Sequence, residues 1–155
     1  MGIPWPARRR VDAGDRETCR AMRESGCCAV KSGVASGCQE LVDRRRKQLN
    51  LEVVEDMVIY LKSLGIFVHL TITWGLPGET LDTIRRTRKF VRRLQPDSVQ
   101  QSYCTPFPGT PFYEMAHRTQ DQRLVDWSDL DGARGYVLDT DTLTAEELKR
   151  HAHLH

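Results

Sequence analysis

The spacing of apolar and polar residues changes along this chain, and the changes mark out alternating helices and strands. Between residues 15 and 25, Cys19, Ala21 and Met22 form an apolar stripe, with Asp15 placed to cap the start and Gly26 to end it. That spacing predicts a helix over 15–25. Cys28 to Val34 reads as a short strand that ends among Gly33, Ser36 and Gly37. Residues 38–46 read as helical. Asn50 then opens a stronger helix from Leu51 to Leu64, in which Val54, Met57, Val58, Leu61 and Leu64 recur at three- and four-residue steps and bury one face. Gly65 stops it. Ile66 to Trp74, rich in β-branched and aromatic residues, is the clearest strand in the sequence.

Thr80 is placed to cap the following helix, where Ile84, Thr87, Val91 and Leu94 keep helical spacing up to Pro96-Asp97. A last strand runs from Ser98 to Thr105. Beyond about residue 118 the pattern weakens: Asp126-Trp127 through Tyr136 reads as an irregular surface segment, and Thr144 caps a short final helix. Strands alternating with helices predict an α/β fold with a parallel sheet and crossover helices. They occupy residues 1–118, and residues 119–155 form a C-terminal extension packing on or beside that unit.

The strands are not uniformly apolar. Val68, Leu70, Ile72 and Trp74 alternate with Phe67, His69, Thr71 and Thr73; Gln100, Ser102 and Cys104 alternate with Val99, Gln101, Tyr103 and Thr105. Strands buried on both faces read as continuous apolar runs, so one face of this sheet is polar. With helices on the other face, that predicts a barrel interior able to accept a polar ligand. The long helices between strands argue against an antiparallel sheet with one wet face.

Composition narrows the picture without redirecting it. A hydrophobic share of 39% and a charged share of 28% fit a soluble globular chain rather than a disordered one. The net charge of +2 gives no push toward nucleic acid or membrane. The basic runs Arg44-Arg45-Arg46-Lys47 and Arg85 to Arg93 therefore read as solvated helix faces. His69 reads as a hydrogen-bonded filler, and His151, His153 and His155 as a frayed terminus. No apolar run approaches the ~18–20 residues of a membrane span, and no secretory h-region follows the first charges. The expected compartment is the cytoplasm. Five cysteines (Cys19, Cys27, Cys28, Cys38 and Cys104) show neither disulfide pairing nor zinc spacing and read as reduced thiols. No metal site and no catalytic residue are assigned.

Three strand-to-helix junctions carry the candidate chemistry: Ser32-Gly33-Val34-Ala35-Ser36-Gly37, Gly75-Leu76-Pro77-Gly78-Glu79-Thr80 and Thr105-Pro106-Phe107-Pro108-Gly109-Thr110. All three stand at C-terminal strand ends, where barrel folds place their sites. Helix-opening N–H groups there can hold carboxylates or phosphates. Taken singly, each junction reads as turn punctuation. A nucleotide-binding P-loop is disfavoured because no lysine follows Gly78.

As an ordered set the motifs resemble a family. Arg10-Val11-Asp12, Met22 with Gly26-Cys27, Gly33-Val34-x-Ser36-Gly37, Lys47, Gly65-Ile66, Gly75 to Thr80 and Thr105 to Pro111 are similar to the later half of radical S-adenosylmethionine (SAM) enzymes. The branch is the one that commonly carries an N-terminal cobalamin-binding domain; Phe112-Tyr113 and Asp126-Trp127 fit it too. The resemblance runs from about Trp5 to Leu148. It implies a partial (βα) TIM-like barrel of six units, of which this chain supplies roughly units three to six on strands Arg10–Asp12, Cys28–Val34, Ile66–Trp74 and Ser98–Thr105. It also implies SAM and a [4Fe-4S] cluster on a C-x-x-x-C-x-x-C loop, with cobalamin as a further cofactor of the branch. The cluster reduces SAM to a 5′-deoxyadenosyl radical, which takes a hydrogen from substrate. By this mapping Ser32, Gly33, Ser36 and Gly37 lie near the methionyl or ribose part of SAM. Gly75, Pro77, Gly78 and Glu79 support the adenine side, and Thr105 and Pro106 line the mouth.

Two departures qualify the resemblance. No C-x-x-x-C-x-x-C occurs in the chain, so three thiolates are not available on one loop. Ala35 also stands where the family has the glutamate of Gly-Val-Glu-Ser-Gly, a residue taken to contact SAM. The expectation is a radical SAM fragment, inactive alone: a truncated relative, or a piece completed by an N-terminal barrel half. An RNA-binding module built on the arginine runs is a third reading, which the near-zero net charge disfavours.

Overall fold

The structure is a computed structural model describing residues 3–44, 48–110, 112–114 and 140–154. The boundary near 118, the Asp126–Tyr136 segment, Arg45 to Lys47, Pro111 and His155 fall outside those residues.

Among the described residues the elements follow one another as β1 (Trp5–Arg8), α1 (Arg16–Glu24), β2 (Cys27–Ala35), α2 (Gln39–Arg44), α3 (Leu51–Ser63), β3 (Phe67–Trp74), α4 (Leu81–Leu94), β4 (Ser98–Tyr103) and α5 (Ala145–His151). All adjacent pairs are parallel and the strand order is β1-β2-β3-β4. The helices start where side chains can satisfy their orphan N–H groups. Asp15 accepts from the Thr18 N–H at 2.7 Å, Asn50 from those of Glu52 and Val53, and Thr80 and Thr83 form a reciprocal capping box. Gly65, at φ +72°, lets the chain leave α3 and enter β3 across only three residues.

The first strand is not where the motif resemblance puts it. Arg10–Asp12 lies past β1, in a turn where the Arg10 guanidinium grips Asp12 (Nε to Oδ1 3.0 Å, Nη2 to Oδ2 2.6 Å) and the Val11 N–H donates to Ser32 Oγ at 3.0 Å. The strand is Trp5–Arg8, whose Ala7 and Trp5 pack against the core while Arg8 is exposed. Pro6 has no N–H for a ladder, and such a residue is tolerated at a sheet edge. The other elements match expectation apart from shifts at their ends: β2 starts at Cys27 and reaches Ala35, and β4 ends at Tyr103.

The period-two alternation of β3 sorts the sheet's faces. Val68, Leu70, Ile72 and Trp74 are buried beneath α1, α3 and α4 in one apolar core, with Val30, Cys19, Val54, Val58, Leu61, Ile84 and Leu94. The opposite, concave face carries His69, Thr71 and Thr73 from β3 beside Ser98, Gln100 and Ser102 from β4. The polar sheet face that the alternation predicts is therefore present.

Residues 140–154 are tied to α4 and to the β3 tip. Leu148 is fully buried in the main core, and the Arg88 guanidinium donates to the carbonyls of His151 and His153, both at 2.5 Å. Thr142 Oγ1 donates to the Glu79 carbonyl. The arginines of α4 also spend charge locally, with Arg86 paired to Glu40 at 3.0 Å and Arg93 to Glu55 at 2.6 Å.

Candidate functional site

Because all four strands run in one direction, their C-terminal ends open on one side. The three glycine-bearing tips meet there through a small apolar cluster: Ala35 and Cys38 from the β2 tip, Leu41 from α2, Leu76 from the β3 tip, and Cys104 at the end of β4 packed against them. The Cys104 N–H donates to the Trp74 carbonyl at 2.7 Å, holding the β4 exit beside that of β3.

At the β2 tip the sequence-predicted residues divide. Gly33 is exposed on the concave face, opposite Thr71. Ser32, Ser36 and Gly37 are engaged in the loop itself. Ser32 is buried on the helix side, in register with Leu70, where its hydroxyl receives the Val11 N–H. Ser36 is buried; its hydroxyl shares a hydrogen bond of 3.1 Å with Thr87 Oγ1 and accepts from the Cys38 N–H. The Gly37 N–H donates to Thr87 Oγ1 at 3.1 Å, and a Cβ on Gly37 would stand 2.6 Å from Phe90 Cβ and 2.8 Å from Thr87 Cα. Glycine is needed there for the loop to lie flat on α4. A register shift between Gly33 and Ala35 bends the strand end, and Ala35 takes φ +71°, a left-handed conformation uncommon for a side chain with a Cβ. Its methyl faces Cys38 and Leu76, so the position of the family's glutamate is occupied by an apolar contact.

The β3 tip is organised by Glu79. Its side chain is fully buried, Oε2 accepts from the Gly75 N–H, and Oε1 has no partner. Burial pushes its carboxyl up to about 7, against the opposing pull of the Gly75 and Leu76 backbone N–H groups. Gly75 and Gly78 sit at φ +74° and +81°. The Arg44 guanidinium lies over Gly78, where a Cβ would meet Nη1 at 1.9 Å. Pro77 is half-buried. At the β4 tip, Thr105 Oγ1 donates to the Tyr103 carbonyl at 3.2 Å, Pro106 is buried, and the Phe107 ring is 47% exposed beside them.

Two charged residues near this arrangement were not singled out by the sequence reading. Arg44 looked like part of a solvated basic run, yet it covers the Gly78 turn. Lys31 lies two residues before Gly33 on the same strand face, so period-two counting would have put it on the concave surface. There its Nζ donates to Gln100 Oε1 at 2.8 Å.

The thiols do not form a cluster site. Cys19 and Cys27 are in the main core, Cys38 and Cys104 belong to the tip cluster, and Cys28 is exposed. Burial pushes the Cys38 thiol up to about 11 and raises those of Cys19 and Cys27, opposite to what a thiolate ligand needs. Among the described residues no three His, Cys, Asp or Glu side chains converge on a metal position.

Comparison with known proteins gives this geometry a lineage. Residues 8–91 match the family model described as Radical SAM superfamily. An uncharacterized methyltransferase of Pyrococcus horikoshii is 30% identical over 127 residues, covering 82% of this chain and 28% of that protein. The anaerobic magnesium-protoporphyrin IX monomethyl ester cyclase of Cereibacter sphaeroides is 25% identical over 114 residues, covering 72% of this chain and 19% of its own length. Among solved structures, the radical SAM methyltransferase TsrM of Kitasatospora setae, with cobalamin and a [4Fe-4S] cluster bound, superposes with a TM-score of 0.66 at 22% identity. That match covers 75% of this chain and 22% of TsrM. The chain thus spans less than a third of the length of each of these proteins.

Proposed function

The chain belongs to the radical SAM superfamily, and from that premise we propose that its residues form the cofactor- and substrate-facing later part of a radical SAM barrel. The observation that carries the proposal is the convergence of three strand tips on Ala35, Cys38, Leu76 and Cys104 at one mouth, beside a polar concave face. In such a barrel the cluster supplies an electron that splits SAM into methionine and a carbon radical.

This chain's residues do the positioning. Glu79 fixes the Gly75–Glu79 turn from within, which leaves its outer backbone free to border the adenine side. Gly33 leaves the concave face open below the mouth. Thr105, Pro106 and the exposed Phe107 ring border the entrance. Ala35 offers no carboxylate to the amino group of SAM, so that contact is absent or supplied from elsewhere. The scattered thiols do not fit the cluster, and the 155 residues alone neither assemble it nor cleave SAM.

The natural partner of this piece is an N-terminal barrel half carrying the cysteine loop. Among the described residues no strand lies outside β1, which supports that reading, because an open edge presents N–H and C=O groups to another strand. Similarity to a methyltransferase and to a cobalamin-bound structure favours cobalamin-assisted methyl transfer over the family's other outcomes, with the substrate unnamed. Among the described residues no helix is long and apolar enough to cross a membrane. The five free thiols fit the cytoplasm, where thiols stay reduced.

Two measurements test the proposal. SAM titrated into isotopically labelled chain should shift amide resonances at Gly33, at the non-proline residues of Gly75 to Glu79 and at those of Thr105 to Gly109; shifts confined elsewhere, or none, would refute the shared mouth. Anaerobic reconstitution with iron and sulfide should give no stable [4Fe-4S] absorbance and no SAM cleavage. A stable cluster on this chain would overturn the assignment of the cysteine loop to a partner.

A further inference from the structure

One register line crosses the whole sheet. Arg8 pairs with Lys31, Lys31 with His69, and His69 with Ser98, so all four strands contribute one residue at the same level. In a parallel sheet, residues in register point to the same face. Ala7, the neighbour of Arg8, pairs with the core residue Val30, which puts Arg8 and its line on the concave side. The next level on that side is Gly33, Thr71 and Gln100, and then come Thr73 and Ser102. No aspartate or glutamate occurs among these positions. Among the described strand residues, this face therefore carries two basic side chains and no acidic one.

Three local details describe how the row is partnered. Lys31 Nζ reaches over β3 to the neutral amide of Gln100 at 2.8 Å, and it takes part in none of the ion pairs among the described residues. Arg8 takes part in none of the ion pairs found among the described residues. His69 donates or accepts through Nδ1 with Ser98 Oγ at 2.6 Å, but its Nε2 is buried with no partner at all. A buried ring nitrogen without a partner is costly, and such atoms in native proteins are normally satisfied by a further group or ligand.

We propose that the Arg8–Lys31–His69–Ser98 row is an anion-recognition site that receives a carboxylate or phosphate group of the substrate, Lys31 exchanging its Gln100 amide for the anion. Lysine serves as a mobile point charge for such groups, and a charge-assisted bond is stronger than the neutral one it replaces. Gly33, one level above, leaves room for the body of the ligand to rise toward the mouth. This inference rests on the reading of the concave face as a barrel interior, and it adds the substrate's chemical class.

The test uses the 155-residue chain with inorganic phosphate and acetate as probes, in separate titrations at constant ionic strength, followed by resonances of the His69 ring and of the Lys31, Ser98 and Gln100 amides. Saturable shifts at these positions are expected, with phosphate binding tighter if the substrate is phosphorylated and acetate tighter if it is a carboxylic acid. Lys31→Gln should weaken binding about tenfold or more. Gln100→Ala should tighten it by freeing the ammonium, and Arg92→Gln, a change on the exposed face of α4, should leave it unaltered. Unchanged dispersion of the amide spectrum shows that each variant is folded. No saturable shift with either anion, or equal binding by Lys31→Gln, would overturn the site. SAM titration of the same variants reads the Gly75–Glu79 turn independently. A silent mouth with a responding row would refute the SAM-facing role of the strand tips and keep the anion site, and the reverse result would do the opposite.

Discussion

Glu79 turns its carboxylate back onto the N–H of Gly75, four residues earlier, and closes the β3–α4 turn around a fully buried acid. The folded chain holds this proton up to about pH 7, whereas an unfolded chain releases it near the ordinary glutamate value of 4.5. The sign follows from proton linkage. Between those two values the native state binds more protons than the unfolded state, so this group makes stability fall as pH rises through that window and stay lowered above it. Glu79→Gln keeps an oxygen for the Gly75 N–H and removes the titration. The variant should gain on the native chain by up to roughly 3 kcal/mol between the bottom and the top of the window. Urea unfolding at both ends measures it, and an equal difference at the two would show that Glu79 is not the buried acid described.

Two glycines at neighbouring tips should fail for different reasons. At Gly37 a methyl group would collide with Phe90 Cβ and the Thr87 backbone, neither of which is a flexible side-chain end. Gly37→Ala should cost about 1–3 kcal/mol through overpacking. At Gly75 the added Cβ meets only Leu148 Cδ1 at an ordinary 3.6 Å, but the backbone is at φ +74°. Gly75→Ala should cost about 1–2 kcal/mol from left-handed strain alone. Gly75→Asn, which tolerates that region better, should recover part of the loss where Gly37→Asn recovers none; thermal denaturation of the four variants separates the mechanisms.

Thr87 is the helix residue on which the β2 tip hangs. Its hydroxyl receives the Gly37 N–H and bonds Ser36 Oγ, and the residue is fully buried. Thr87→Val keeps the shape and deletes both bonds, leaving the Gly37 N–H without its acceptor. The expected loss is about 1–3 kcal/mol. Amide hydrogen exchange should quicken at Gly37 and Cys38 well before the core of β3, and unchanged protection at those two amides would refute the tether.

Much of this arrangement was legible from spacing alone. Leu51 to Leu64 shows its buried face in the three-and-four rhythm of Val54, Met57, Val58 and Leu61, and β3 shows both its faces in strict alternation. The tips were marked by glycines that the backbone uses at positive φ, Gly75 and Gly78 among them. Less could be read of β1, because Pro4 and Pro6 mask a short edge strand and the more familiar Arg10-Val11-Asp12 drew the assignment past its end. The roles of Ser36 and Gly37 depend on Thr87, some fifty residues on, a contact that no local pattern encodes. Lys31 escaped notice because a lone lysine in a strand looks like a solvated edge until its register partners are known.

The line from Arg8 to Ser98 also sets where this chain can change length. Since alternate residues serve opposite sides, inserting or deleting a single residue inside β2 or β3 would send lysine and histidine beneath the helices and lift leucine and valine into the hollow. Natural variation in length should therefore collect in the connections, with the strands themselves conserved in span even where their letters drift.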